Sequence, residues 1–169
     1  MGKALVVYGT KSGCTKGIAE AIADGLRLAG ATADVVAVED KPDPSAYDAV
    51  IVGSGIRAGS WHGAAKRWVT EQAELLKARP TAFFTACLTM HTNPEKAEEV
   101  RAYTVPLIAE TGVRPVDEGL FPGMNLPKTF SLPERLVMKA MKSPEGDFRD
   151  LAAAVEWGTE IAPKLGLTA

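Results

Sequence analysis

Three short segments concentrate the residues able to bind or turn over a ligand. The first is Gly9-Thr10-Lys11-Ser12-Gly13-Cys14-Thr15-Lys16. Hydroxyls at 10, 12 and 15 surround a glycine that lets a backbone come close, and the segment leads straight into a helical pattern. Such a turn presents unpaired N–H groups and the positive end of a helix dipole, which together suit a phosphate. Lys11 and Cys14 would contribute backbone amides. An ordinary helix cap uses the same residue types; the phosphate reading rests on the position directly after an apolar, strand-like run. The spacing is not that of a Walker A loop, because no Gly-Lys-Ser/Thr follows Gly9 at the required distance. The second segment, Gly53-Ser54-Gly55-Ile56-Arg57-Ala58-Gly59-Ser60-Trp61-His62-Gly63, formally contains a G-x-G-x-x-A fingerprint. That fingerprint belongs after a first strand and opens a helix at once, whereas Gly59 and Trp61 delay the helix here. The third segment is Thr85–Asn93, which contains Cys87 and His91.

Histidine titrates near neutrality, so His62 and His91 are candidate proton donors; for His62 the plainer expectation is a surface residue. Cys14, at a helix N-terminus, is open to a lowered pKa, or to supplying only its amide. The two cysteines should lie two strand spacings apart, about 9–10 Å at the backbone, beyond disulfide reach.

The elements that must position these loops alternate along the chain. Ala4–Tyr8 is a short apolar strand, followed by a helix over 15–29 with Ile18, Ile22 and Leu26 on one face. Asp34–Val38 and Ala49–Val52 read as the second and third strands, and Ala64–Lys77 as one helix ended by Pro80. Thr81–Leu88 is a fourth strand. A helix opens at Pro94 and closes at Gly112, Val113–Leu120 is a fifth strand, and Leu151–Ala162 a last helix. This rhythm predicts one α/β domain over residues 1–169. It is a three-layer sandwich around a five-stranded parallel sheet of order 2-1-3-4-5, with its ligand crevice beyond the carboxyl ends of strands 1 and 3. The 169 residues suffice for one core. A net charge of −2 offers no field for nucleic acid, and two cysteines without metal spacing give neither a disulfide scaffold nor a metal site. The N-terminus runs directly into the first strand without signal-peptide features, so a cytoplasmic location is expected.

Thr10-x-Ser12-Gly13-x-Thr15 resembles the phosphate loop of flavodoxins, which implies FMN as cofactor. On that resemblance the second segment is the second FMN loop. Ser54, Gly55, Ile56 and Arg57 then border the ring and Trp61 is its flanking aromatic, with packing on the core as the alternative for Trp61. Ala86, Cys87, Leu88 and His91 would supply the other wall. Small electron-carrier flavodoxins hold an aromatic and acidic residues in that third loop; here it has neither. Without carboxylates nearby, negative charge on the reduced ring is not opposed, which favours two-electron chemistry. A phosphoacceptor receiver shares the topology, but Ser54 stands where its aspartate would end the third strand. The Gly/His-rich loop of NAD(P)H:quinone reductases is absent.

Residues 121–147 break the rhythm. Ser131-Leu132-Pro133-Glu134 has the form of a capping box and predicts a helix start. Leu132, Leu136, Val137, Ala140 and Met141 share one half of its wheel, with Arg135, Lys139 and Lys142 opposite. Such a helix can cover its own domain or rest on an anionic membrane surface, a peripheral contact through 131–142; both readings stay open. The insert, with Gly-Ser-Gly-Ile-Arg-Ala-Gly (53–59), Asn-Pro-Glu-Lys (93–96) and Glu-Arg-Leu-Val-Met-Lys-Ala-Met-Lys (134–142), resembles menaquinone-dependent protoporphyrinogen IX dehydrogenases and related flavodoxin-domain proteins. The resemblance implies an FMN oxidoreductase working between an organic substrate and a quinone-like acceptor. The alternative is an electron carrier docking on redox partner proteins. In that family the insert is basic and aromatic; here Phe121, Phe130 and Phe148 are its aromatics, and Glu145, Asp147 and Asp150 dilute its charge.

Overall fold

Strand β1 (Lys3–Gly9) sends alternate side chains into two different layers: Ala4 and Val6 pack on one side of the sheet, Leu5 and Val7 on the other. All four are fully buried, as a central parallel strand requires. The computed structural model describes residues 2–10, 13–57 and 59–168; the side chain of Arg57 lies outside that description. In chain order the remaining elements are α1 (Cys14–Leu28), β2 (Thr32–Ala37), β3 (Ala49–Arg57), β4 (Ser60–Trp61), α2 (Gly63–Glu71), α3 (Ala73–Lys77), β5 (Thr81–Ala86), α4 (Thr89–Thr92), α5 (Ala97–Arg101) and α6 (Val105–Thr111). They continue with β6 (Glu118–Phe121), β7 (Met124–Asn125), α7 (Leu132–Ala140), β8 (Gly146–Asp147) and α8 (Leu151–Ile161).

The main sheet runs β2-β1-β3-β5-β6, all parallel, which is the expected five-strand order. Helices α1 and α8 cover one face over Ala4, Val6, Ile51 and Phe84, while α2 and α6 cover the other over Leu5, Val7, Val52 and Phe83. The two helices of the first layer touch backbone to backbone. A Cβ on Gly25 would stand 2.1 Å from the carbonyl of Val155, and one on Gly158 would stand 2.3 Å from that of Ile22. Only glycine fits at both positions.

Several boundaries differ from the sequence expectation. The fifth strand is shorter and later, Glu118–Phe121 instead of Val113–Leu120, because Pro115 has no N–H to give to a ladder. The helix expected over 64–77 breaks at Gln72 into α2 and α3. The 94–112 segment alternates between short 3-10 and α turns, with Pro106 in the first turn of α6. Three two-residue strands were not foreseen: β7 and β8 pair with each other antiparallel, and the third is β4. β3 continues past the sheet and folds back through a turn containing Gly59, so that β4 pairs with it antiparallel through Ile56–Trp61 and Arg57–Ser60.

Candidate functional site

A cleft of about 690 Å³ opens at the carboxyl ends of β1, β3 and β5, at the crossover point where open parallel sheets place their ligands. Its polar end is the turn from β1 into α1. Gly13 sits at the N-cap with φ +82°, a conformation that costs glycine nothing, and no side chain among the described residues caps the helix. The Thr10 hydroxyl accepts the Gly13 N–H at 3.0 Å and so fixes the turn. The first turn of α1 contains no acidic residue, so nothing there offsets the positive end of this fifteen-residue helix. Thr15 is fully buried in that first turn and lines the cleft, yet its hydroxyl has no hydrogen-bond partner among the described residues. A buried hydroxyl left unpaired costs about 1–3 kcal/mol. It marks a place where a polar ligand atom belongs.

Of the residues anticipated for this turn, Thr10, Cys14 and Thr15 line the cleft, Gly13 shapes it, and Lys11 and Ser12 lie outside the described residues. The lowered pKa considered for Cys14 is reversed. Burial pushes its thiol up, outweighing the Met124 N–H that hydrogen-bonds to it and the nearby Arg149 charge. Cys14 and Cys87 are both buried free thiols.

The second loop behaves in two ways. Gly55 and Ile56 line the cleft. Ser54 instead holds the loop together: its hydroxyl accepts the His62 N–H at 2.8 Å and donates to the Gly55 carbonyl at 2.8 Å. Trp61 touches the cleft but is only 3% exposed, its ring edge-on to Phe83 with centroids 5.3 Å apart. Its indole N–H is donated to the Thr85 hydroxyl at 3.0 Å. Fixed on both sides, the indole offers a ligand a wall and has no freedom to swing out.

His62 departs from the surface position expected of it. It lines the cleft, half-buried, with Nε2 3.4 Å from the Glu39 carboxylate. The available signal was its place as the last residue before a helix, directly after the glycine-rich loop. On the third loop Ala86 and Leu88 line the cleft, while Cys87 gives its N–H to the Phe121 carbonyl at 2.9 Å and so ties β5 to β6. His91 is exposed and away from the cleft, its ring stacked on Phe148 at 3.9 Å and 11°.

The fourth wall comes from the insert. Ser131 and Glu134 form the expected reciprocal capping box at the start of α7. Phe130, Pro133, Glu134, Val137, Met138 and Met141 face the cleft, at the i, i+3, i+4, i+7 spacing of one helical stripe. The same spacing was present in the sequence, but the wheel grouped Val137 and Met141 with Leu132 and Leu136. The structure separates the pairs. Leu132 and Leu136 turn away from the cleft, and no residue of α7 is buried. The limb returning from α7 is held to α1 by Arg149, which pairs with Asp147 at 2.7 Å and donates to the Cys14 carbonyl at 3.3 Å.

Comparison with known proteins gives a consistent result. The family described as "Flavodoxin domain" matches residues 5–152. Protoporphyrinogen IX dehydrogenase [quinone] of Escherichia coli (strain K12) is 26% identical over 160 residues, covering 92% of this chain and 88% of that protein. A protein of the same name from Leishmania major is 31% identical over 126 residues, covering 72% of this chain and 54% of its own. Among solved structures, a flavodoxin from the domain Archaea superposes with a TM-score of 0.56 at 20% identity, covering 97% of this chain and 99% of that one.

Proposed function

Because the chain belongs to the flavodoxin-domain family, we propose that it is an FMN-dependent oxidoreductase that moves electrons from an organic donor to a quinone-like acceptor. The observation that carries this reading is the Thr15 hydroxyl: buried, without a hydrogen-bond partner among the described residues, and set at a helix N-terminus that opens onto an apolar cleft. FMN fits those features. Its phosphate would take the Thr15 hydroxyl and the backbone amides at the start of α1, as helix N-termini favour. The planar ring would lie between the 55–61 loop and Ala86–Leu88. When bound, the flavin supplies the redox chemistry, and the protein's part is to bind, orient and exclude water.

The chain's own residues contribute as follows. Ser54 holds the second loop against the N-terminus of α2, and Trp61, locked between Phe83 and Thr85, gives the site a rigid wall. Val137, Met138 and Met141 offer the cleft an adaptable apolar side, because thioethers fit irregular flat ligands without fixed polar demands. Such a wall favours a hydrophobic ring as reaction partner over a large charged protein surface. His62 is the group on the cleft wall suited to pass a proton to or from a bound ligand, with Glu39 orienting its imidazole. The E. coli relative carries a quinone in its name, which agrees with this choice of acceptor.

The test is an anaerobic reductive titration of the purified yellow protein, followed by addition of a water-soluble quinone. Direct two-electron bleaching and rapid reoxidation by the quinone are expected. A long-lived one-electron stage with no quinone turnover would instead identify an electron carrier for protein partners.

A further inference from the structure

We propose that the outer face of α7 is a docking surface for anionic lipid bilayers, so that the cleft mouth meets the membrane. Leu132 is 72% exposed and Leu136 is 68% exposed, on the side of the helix turned away from the cleft. Large aliphatic side chains left in water on a capped, well-formed helix cost free energy unless something covers them. Arg135 and Lys139 flank the two leucines on the helix, and Lys128 and Lys142 stand at its two ends. Residues 126–142 carry four cations and one carboxylate, whereas the whole chain carries −2. The positive charge is therefore concentrated on and beside a helix that shows two leucines, one turn apart, to solvent.

Charge decides between the occupants. In a symmetric pair of chains the same cations would face one another across a twofold axis, and like charge would oppose the contact. An anionic lipid surface meets both halves of the face. The leucines enter the acyl boundary while the long cationic side chains reach the headgroups. α7 is about 13 Å long at 1.5 Å per residue, enough to lie in the interface and too short to cross it. No helix among the described residues is long and apolar enough to span a membrane. The inner stripe of the same helix lines the cleft, so a lipid-soluble acceptor could pass from bilayer to site along one element. That last step rests on the quinone reading above; the docking itself does not.

The experiment is co-sedimentation of the FMN-loaded full chain with two kinds of vesicle: pure phosphatidylcholine, and phosphatidylcholine containing phosphatidylglycerol. Binding to the second, weakened by salt, is expected. Leu132→Ser with Leu136→Ser should weaken it by at least about tenfold, and Arg135→Glu with Lys139→Glu should abolish the preference for anionic lipid. Both variants should fold and reduce a water-soluble quinone like the parent, since none of these residues lines the cleft. Wild-type protein that stays in solution with anionic vesicles, or leucine variants that bind as well as the parent, overturns the proposal. So does concentration-dependent self-association that the leucine variants lose. Failure of soluble-quinone reduction in the parent would count against the proposed function and leave the vesicle result to be judged separately.

Discussion

Replacing Thr15 by valine removes a hydroxyl and keeps the shape, so the two consequences of that hydroxyl can be separated. In the flavin-free protein an unpaired buried hydroxyl is lost, and stability should rise by up to about 1–3 kcal/mol. In the complex a donor to a charged phosphate is lost, and FMN should bind more weakly by about 1.5–3 kcal/mol. Thermal melts without flavin and titrations with FMN and riboflavin measure both, and riboflavin affinity should barely change. If FMN and riboflavin respond alike, the phosphate assignment fails. Trp61 makes the opposite kind of prediction. It is buried against Phe83 and hydrogen-bonded to Thr85, so Trp61→Ala should cost about 3–5 kcal/mol of stability. Trp61→Phe should fold and keep most of the flavin affinity. A folded alanine variant of parental stability would mean the indole belongs to the ligand and not to the core.

At the scale of elements, the insert divides into a tethered limb and a free one. The tethered limb depends on Asp147, whose carboxyl the Arg149 guanidinium holds below the ordinary carboxylate range against a smaller desolvation effect. A lowered folded pKa adds stability that is complete above the unfolded value of about 3.9 and is lost as pH falls through the folded one. Hydrogen exchange at residues 146–149 should therefore accelerate as pH drops below that value, after correction for intrinsic rates, and Asp147→Asn should remove this pH dependence. The free limb is α7. Since none of its residues is buried, deleting 126–142 should leave the sheet and its melting transition nearly intact. FMN affinity should change modestly while quinone turnover falls. Circular dichroism and steady-state rates on the same protein decide it, and unfolding on deletion would show the insert to be part of the core.

For the whole molecule, the five parallel strands gather loops that are far apart in the chain at one edge, where β1, β3 and β5 end side by side. Chemistry at that edge is available only to the assembled sheet. Loss of flavin and loss of the near-ultraviolet tertiary signal should thus coincide in a denaturant titration of the loaded protein. The midpoint should move upward with added FMN by mass action. A midpoint indifferent to FMN concentration would mean that the flavin does not bind the folded state preferentially.

The strand order was readable from residues alone, because short apolar runs alternating with helical spacing are local patterns. Ala4–Tyr8 carries its place as a buried central strand in its own composition. The fold-back of β4 on β3 was not readable, since its two-residue pairing has no periodicity to detect and depends on where the sheet ends. Nor could the sequence choose between the two lives of Trp61: an indole suits a core or a flavin equally, and only the positions of Phe83 and Thr85 decide. The same holds for α7. Its spacing determined that a capped, two-sided helix would form, but which apolar side chains face the cleft and which face solvent depends on how the helix is rotated against β1 and β3. The limb that follows α7 is likewise fixed by a contact far away in the chain, with Arg149 pairing with Asp147 and donating to the Cys14 carbonyl.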